Sequence, residues 1–165
     1  MALKVRPLDP VDDLALVRAF VPRVEDYVLL ETGEAPKADL AEAFVAETPP
    51  GGTVDDLVHL GLFDAGDLAG VAAMSFGYPE AGDAYLGLLL IDAARRGRGL
   101  GPVLLTEVLG VARSQAAARL YLGVLEANPR ARAFWERAGF RHVLTKPGVA
   151  FGARHHDVHR MMRPV

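Results

Sequence analysis

The sequence predicts an α+β (α/β) fold, a mixed sheet flanked by helices in a single domain spanning residues 1–165. Three observations carry that expectation. Apolar runs at 57–63 and 68–76 flank the turn Asp64-Ala65-Gly66-Asp67, the signature of a β-hairpin. Leu88, Leu89, Leu90 and Ile91 form a continuous apolar run, the texture of a strand covered on both faces. Residues 96–101 then read Arg-Gly-Arg-Gly-Leu-Gly and lead into an amphipathic stretch, so a strand feeds a glycine-rich turn that feeds a helix.

Taken in order, 3–8 reads as an opening strand. Asp9 and Pro10 supply a cap and a first-turn proline for a helix over 11–20, with Leu14 and Val17 on its inner side. The signal is weaker over 21–52. Helical periodicity through Leu40, Ala43 and Phe44 places a second helix at 37–47, between loops at 31–36 and 48–52. The hairpin follows, then a loop at 77–82 containing Tyr78 and Pro79, then a strand at 84–91. Beyond the glycine turn, Leu104, Val108, Val111 and Ala112 recur at helical spacing to about residue 117. A strand at 119–125 leads to a helix capped by Asn128, opened by Pro129 and closed by Gly139. Strands at 141–151 and 156–162 complete the chain.

Composition narrows the function. Apolar residues make up 51% and charged residues 24%, the balance of a chain with a packed core. A formal charge of −3 argues against a general nucleic-acid or anionic-membrane binder, although Arg95, Arg96 and Arg98 form a local basic patch. With no cysteine, disulfides, thiolate nucleophiles and thiolate metal sites are excluded. Residues 1–8 lack an apolar signal core, and no segment reaches the roughly 18 uninterrupted apolar residues of a membrane span. The expectation is a soluble, cytoplasmic protein.

The glycine turn is the most informative segment. Glycines permit positive φ and close approach of a ligand, so the N–H groups of Gly97, Arg98, Gly99, Leu100 and Gly101 can converge on an anion at a helix N-terminus. A dinucleotide fingerprint read from Gly99 fails because Leu104 stands where its last glycine belongs, and no Gly-Lys-Ser/Thr exists for a Walker loop. Taken alone, Arg-Gly-Arg-Gly also reads as an RNA-binding tract.

Residues 86–140 resemble the GCN5-related N-acetyltransferase (GNAT) superfamily. Its Gln/Arg-x-x-Gly-x-Gly/Ala signature is filled by Arg96, Gly99 and Gly101. Its later signature, an Asn followed by a helix with an aromatic pair and a Gly-Phe, is filled by Asn128, Phe134, Trp135, Gly139 and Phe140. The resemblance implies a mostly antiparallel sheet of six to seven strands and acetyl-CoA as co-substrate. It implies an N-acetyltransferase acting on a primary amine of a small molecule or protein by direct attack in a ternary complex, with no metal. Under it, the backbone of Leu89, Leu90 and Ile91 pairs with the pantetheine arm and an N–H near Ile91 serves the oxyanion. The 97–101 amides take the pyrophosphate, with charge added by Arg96 or Arg98, and Asn128 contacts the pantetheine or orders the strands. Pro102 departs from a fully donating turn, since it has no N–H.

Two further departures bear on mechanism. Trp135 stands where many members carry a tyrosine that protonates the departing thiolate, and an indole N–H cannot act as that acid. The thiolate then leaves unassisted, through water, or with the help of another group such as Tyr85 or Tyr121. Some members carry a glutamate base five residues before the Asn; here that position is Gly123. Glu31 is the preferred base, in a loop over the acceptor mouth with Tyr27, Tyr78 and Tyr85 as walls; Glu80, Asp83 and Glu126 are the other carboxylates considered. His156 and His159 lie three apart, on opposite faces of a strand, so with His155 they do not form a metal site. His59, in an apolar run, reads as structural. The competing readings are a non-catalytic acyl-CoA-binding sensor and an RNA-binding module. A homodimer is the assembly entertained.

Overall fold

A computed structural model describes residues 2–165 as a seven-stranded sheet in the order β1-β2-β3-β4-β5-β7-β6. The strands are β1 (Leu3–Pro7), β2 (Leu57–Asp64), β3 (Asp67–Phe76), β4 (Asp83–Ile91), β5 (Arg119–Leu125), β6 (Arg141–Phe151) and β7 (Arg154–Pro164). Every neighbouring pair is antiparallel except β4 and β5, which run parallel. The connection between those two is α4 (Leu100–Ser114), as a parallel pair requires.

The remaining helices are α1 (Leu14–Phe20), α2 (Glu25–Thr32), α3 (Leu40–Ala46) and α5 (Pro129–Arg137). One face of the sheet packs Leu62, Met74, Leu86, Leu120, Leu122 and Met161 against α4, through Leu104 and Val108, and against Trp135 of α5. The other face packs Val71, Leu88 and Leu90 against Val17, Phe20, Val24 and Ala41.

The hairpin forms as expected. Asp64 pairs with Asp67 across Ala65 and Gly66, whose φ values of 52° and 91° give the two-residue, left-handed turn that matches strand twist. Three differences from the expectation bear on the fold around the site. The first helix begins at Leu14 rather than at residue 11: Asp9 accepts the N–H groups of Val11 and Asp12 in a turn, and Asp13 turns its carboxylate back to Arg6. The helix after the glycine turn starts at Leu100, making Pro102 its third residue rather than its first. Residues 25–32 form α2, so Glu31 lies in a last helical turn rather than in a loop. Gly33 at φ 72° ends that helix in the left-handed conformation glycine favours.

Candidate active site

The site begins where two parallel strands part. Pairing between β4 and β5 stops at Leu86 and Leu122, although the strands continue to Ile91 and Leu125. A bulge starts the divergence: Ala73 pairs with Leu88 and Met74 with Leu86, leaving Gly87 unmatched. Beyond it, the Asp92 N–H donates to the Ala69 carbonyl of β3 at 2.8 Å. Strand alternation turns the Leu90 peptide to the same side and the Leu89 and Ile91 N–H groups toward the gap.

The glycine turn closes one end of this gap. Gly97 and Gly99 have φ of 79° and 78°, and Gly99 caps α4 with no side-chain hydrogen bond, so the first N–H groups of α4 have no cap partner. A fifteen-residue helix directs its positive end there. Pro102 removes one of the four donors. Gly101 has another part: a Cβ on it would lie 3.2 Å from the Phe134 ring, so its bareness lets α4 approach α5.

Arg96 does not offer its charge to this turn. Its guanidinium forms a two-point ion pair with Asp26 of α2, one contact at 3.1 Å, and its Nε donates to the Ile91 carbonyl at 3.1 Å. The pair holds the Asp26 carboxyl below its usual range. Arg95 is engaged by Asp64, Asp67 and Asp92. Arg98 is exposed and forms no ion pair among the described residues.

Together these elements enclose a cleft of about 790 Å³. Leu89, Leu90, Ile91, Arg96, Gly97, Gly99, Leu100, Gly101, Pro102, Asn128, Trp135 and Tyr27 all line it; Arg98, Glu31, Tyr78 and Tyr85 do not. Asn128 caps α5, its Oδ1 accepting the Ala131 N–H at 3.2 Å, which leaves its amide NH₂ for any ligand contact. Trp135 is buried edge-on to both Phe134 and Phe140, at 4.9 and 5.3 Å between ring centroids.

A second, polar cluster lies past Gly123 on the α2 side of the sheet. A Cβ on Gly123 would lie 3.2 Å from the Tyr85 hydroxyl and 3.0 Å from Val158. The Tyr85 ring meets Tyr78 edge-on at 5.2 Å. Arg160, cross-strand from Gly123, donates to the Tyr78 hydroxyl at 2.8 Å and lies 5.4 and 6.0 Å from the Tyr78 and Tyr85 ring centroids. On the α2 wall the Tyr27 hydroxyl donates to Glu31 at 2.9 Å, and the Glu31 carbonyl bonds the His156 ring at 2.8 Å. Burial, with nearby Glu47, raises the Glu31 carboxyl above its usual range, against the opposing pull of the Tyr27 hydrogen bond. Burial also raises both Tyr27 and Tyr85, keeping their hydroxyls protonated at neutral pH.

The family model for the acetyltransferase (GNAT) family matches residues 25–140. The chain belongs to the GNAT family. A mycothiol acetyltransferase of Beutenbergia cavernae is 39% identical over 87 residues, covering 53% of this chain and 28% of that longer protein. The chain therefore spans less than a third of that relative's length. An acetyltransferase from Thermus thermophilus superposes with a TM-score of 0.78 at 28% identity, covering 100% of this chain and 98% of the other. A GCN5-related N-acetyltransferase from Kribbella flavida superposes at 0.73 with 25% identity, over 99% and 98% of the two chains. GNAT enzymes take acetyl-CoA as co-substrate, and the parted strands and bare glycine turn fit a thioester carried on an extended, phosphate-bearing arm.

Asp83, Glu80 and Glu126 do not line the cleft. Asp83 is buried and held by Arg119 at 2.9 Å; Glu80 lends its backbone N–H to Asp83; Glu126 is exposed, 3.9 Å from His159. The histidines divide: His155 is exposed, His156 faces α2, and His159 bonds Thr145 at 2.8 Å. His59 is buried against Phe44. No group of three or more potential metal ligands converges among the described residues, and no helix is long and apolar enough to cross a membrane. Sequence reasoning missed Gly87, Asp26 and Arg160. Only the strand register reveals the first and third; the second belongs to a helix with no apolar stripe.

Proposed function

We propose that this chain moves the acetyl group of acetyl-CoA to a primary amine of a small molecule or protein, by direct attack in a ternary complex. The observation that carries the reading is the parting of β4 from β5 after Leu86 and Leu122, with the bare N-terminus of α4 at the end of the gap. The gap offers the Leu89 and Ile91 peptides to a pantetheine arm, and the Gly97 to Gly101 amides suit a pyrophosphate. An N–H at Ile91 facing the gap would stabilise the oxyanion that develops on the thioester carbonyl.

In the reaction the amine nitrogen forms a bond to the carbonyl carbon. The C–S bond breaks, and its electron pair leaves on the CoA sulfur. The ammonium must lose a proton before attack. Tyr27 lines the cleft and is bonded to Glu31, so the pair suits passage of that proton from the amine through the hydroxyl to the carboxylate. The proton for the departing thiolate is assigned to Tyr85, since the Trp135 indole cannot supply one, and the second proton the nitrogen loses as the amide forms restores the Tyr85 hydroxyl. Tyr78, Tyr85 and Tyr27 form the acceptor walls.

A cytoplasmic enzyme, alone or as a homodimer, fits this reading. Two of the three arginines that an RNA tract would use are neutralised within the chain. The deciding experiment is release of CoA thiol from acetyl-CoA with a panel of primary amines. Amine-dependent release supports the transferase. Tight acetyl-CoA binding without release supports the sensor, and salt-sensitive RNA binding without acetyl-CoA affinity supports the RNA module.

A further inference from the structure

The polar cluster beyond Gly123 holds a cation with no anion. Arg160 is partly buried and, among the described residues, forms no ion pair. Its one side-chain partner is a neutral phenol, which leaves most of its five N–H donors unassigned. Partly buried guanidinium groups are ordinarily matched by a carboxylate, because desolvating an unpaired charge is costly. Arg6, Arg95 and Arg96, also partly buried, each face an aspartate, and Arg163 on the same strand donates instead to the Ala138 and Pro164 carbonyls; among the described residues Arg160 has neither kind of acceptor.

The register explains why no carboxylate stands opposite Arg160. Its cross-strand neighbour on β5 is Gly123, which brings no side chain. The room an acidic side chain would need there is restricted by the Tyr85 hydroxyl and Val158. The Tyr78 and Tyr85 rings flank the guanidinium and hold it beside the point where the strands part. Across the cluster stand two carboxylates, Glu31 on α2 and Glu47 just after α3, the second close enough for its charge to be felt at Tyr85. Glu31 is held by its Tyr27 hydrogen bond and by its carbonyl bond to His156, which lies on the same strand as Arg160, so a carboxylate and an unpaired guanidinium stand on one side of the sheet.

Resting on the acetyl-transfer reading, we propose that the acceptor carries a carboxylate close to its amine, as a free amino acid does, and that Arg160 binds the carboxylate while the Glu31 side receives the amine. A charge-assisted, two-point bond from a partly buried guanidinium makes a discrimination of about tenfold to a hundredfold over an uncharged analogue. Arg160 is a specificity residue in this scheme; the bonds made and broken are those of acetyl transfer.

The test measures kcat/KM by CoA thiol release for glycine, β-alanine, serine and phenylalanine against their carboxamides, in the wild type and in Arg160→Ala and Arg160→Lys. The wild type is expected to prefer at least one free acid over its amide by about tenfold or more, through KM. That preference collapses toward unity in Arg160→Ala and is partly restored in Arg160→Lys, with acetyl-CoA affinity by calorimetry unchanged in both. Equal turnover of acids and amides by the wild type, or a preference that survives in a folded Arg160→Ala, overturns the proposal while leaving acetyl transfer intact. Acetyl-CoA binding without thiol release for any acid, amide or simple alkylamine overturns the transfer reading and this proposal with it.

Discussion

Gly99 and Gly101 share one motif and meet different physical demands. Gly99 sits at φ 78° with open space around its Cβ direction, so a side chain there is opposed by the backbone alone. Gly99→Ala should cost about 1 kcal/mol of stability and weaken acetyl-CoA binding as the turn relaxes out of the left-handed region. Calorimetric titration of the folded variant checks it, and unchanged affinity would remove the anion cradle from the account. Gly101→Val instead presses on Phe134, so its main effect should be a lower thermal midpoint through the α4 to α5 contact, with Phe134→Leu restoring part of the loss. Trp135→Tyr should retain or raise turnover, because a phenol can protonate the leaving thiolate and an indole cannot. A folded but inactive Trp135→Tyr would show that the indole itself is required. In the same active site, Tyr85→Phe should lower kcat with little change in acetyl-CoA affinity, as measured by thiol release and calorimetry.

At the scale of the element, α2 is the part of the site that the sequence conceals. Tyr27, Val28, Leu29 and Leu30 are consecutive and wrap around the helix, so no apolar stripe marks it, and Glu31 reads as loop. Its position is set by long-range contacts instead: Asp26 to Arg96, Leu30 to Arg154 and Glu31 to His156. By contrast the hairpin, α4 and α5 were legible because each carries local chemistry: Ala65-Gly66 in the turn, regular apolar spacing, and Asn128-Pro129 as cap and first turn. The cofactor half of the site was legible for the same reason, since it is one turn and two strand ends. The acceptor half is assembled by register, with Arg160 opposite Gly123 and Tyr85 reaching both, and no spacing along the chain encodes that. Asp26→Asn tests the role of α2. Asp26 is exposed and Arg96 half-buried, so stability should fall by less than about 1 kcal/mol, whereas KM for the amine should rise as the Tyr27 wall loosens. Steady-state kinetics beside a denaturation curve separates the two effects.

For the molecule as a whole, the sheet is a continuous core divided by one gap, and acid sensitivity is built into its other end. Arg6 holds the Asp13 carboxyl down from 3.8 to about 2, so the stabilisation is fully present above the ordinary aspartate value and is lost as pH falls toward 2. Burial lowers His59 from 6.5, and its Nε2 is buried without a partner, so the unfolded chain takes that proton more readily. The His59 contribution is therefore present above 6.5 and erodes as pH falls below it. Thermal midpoints followed from neutral pH downward should fall in two stages, the first abolished by His59→Leu and the second reduced by Asp13→Asn, since Asp26 and Glu42 are also held below their usual range; an unaltered first stage in His59→Leu would contradict the assignment. The central claim is that the gap between β4 and β5, closed by the glycine turn, is the seat of acetyl-CoA. Backbone amide resonances followed during titration with acetyl-CoA test it most directly: the account predicts saturable shifts at Leu89, Ile91 and Gly97 through Gly101, and shifts absent there, or confined to another face of the sheet, would contradict it.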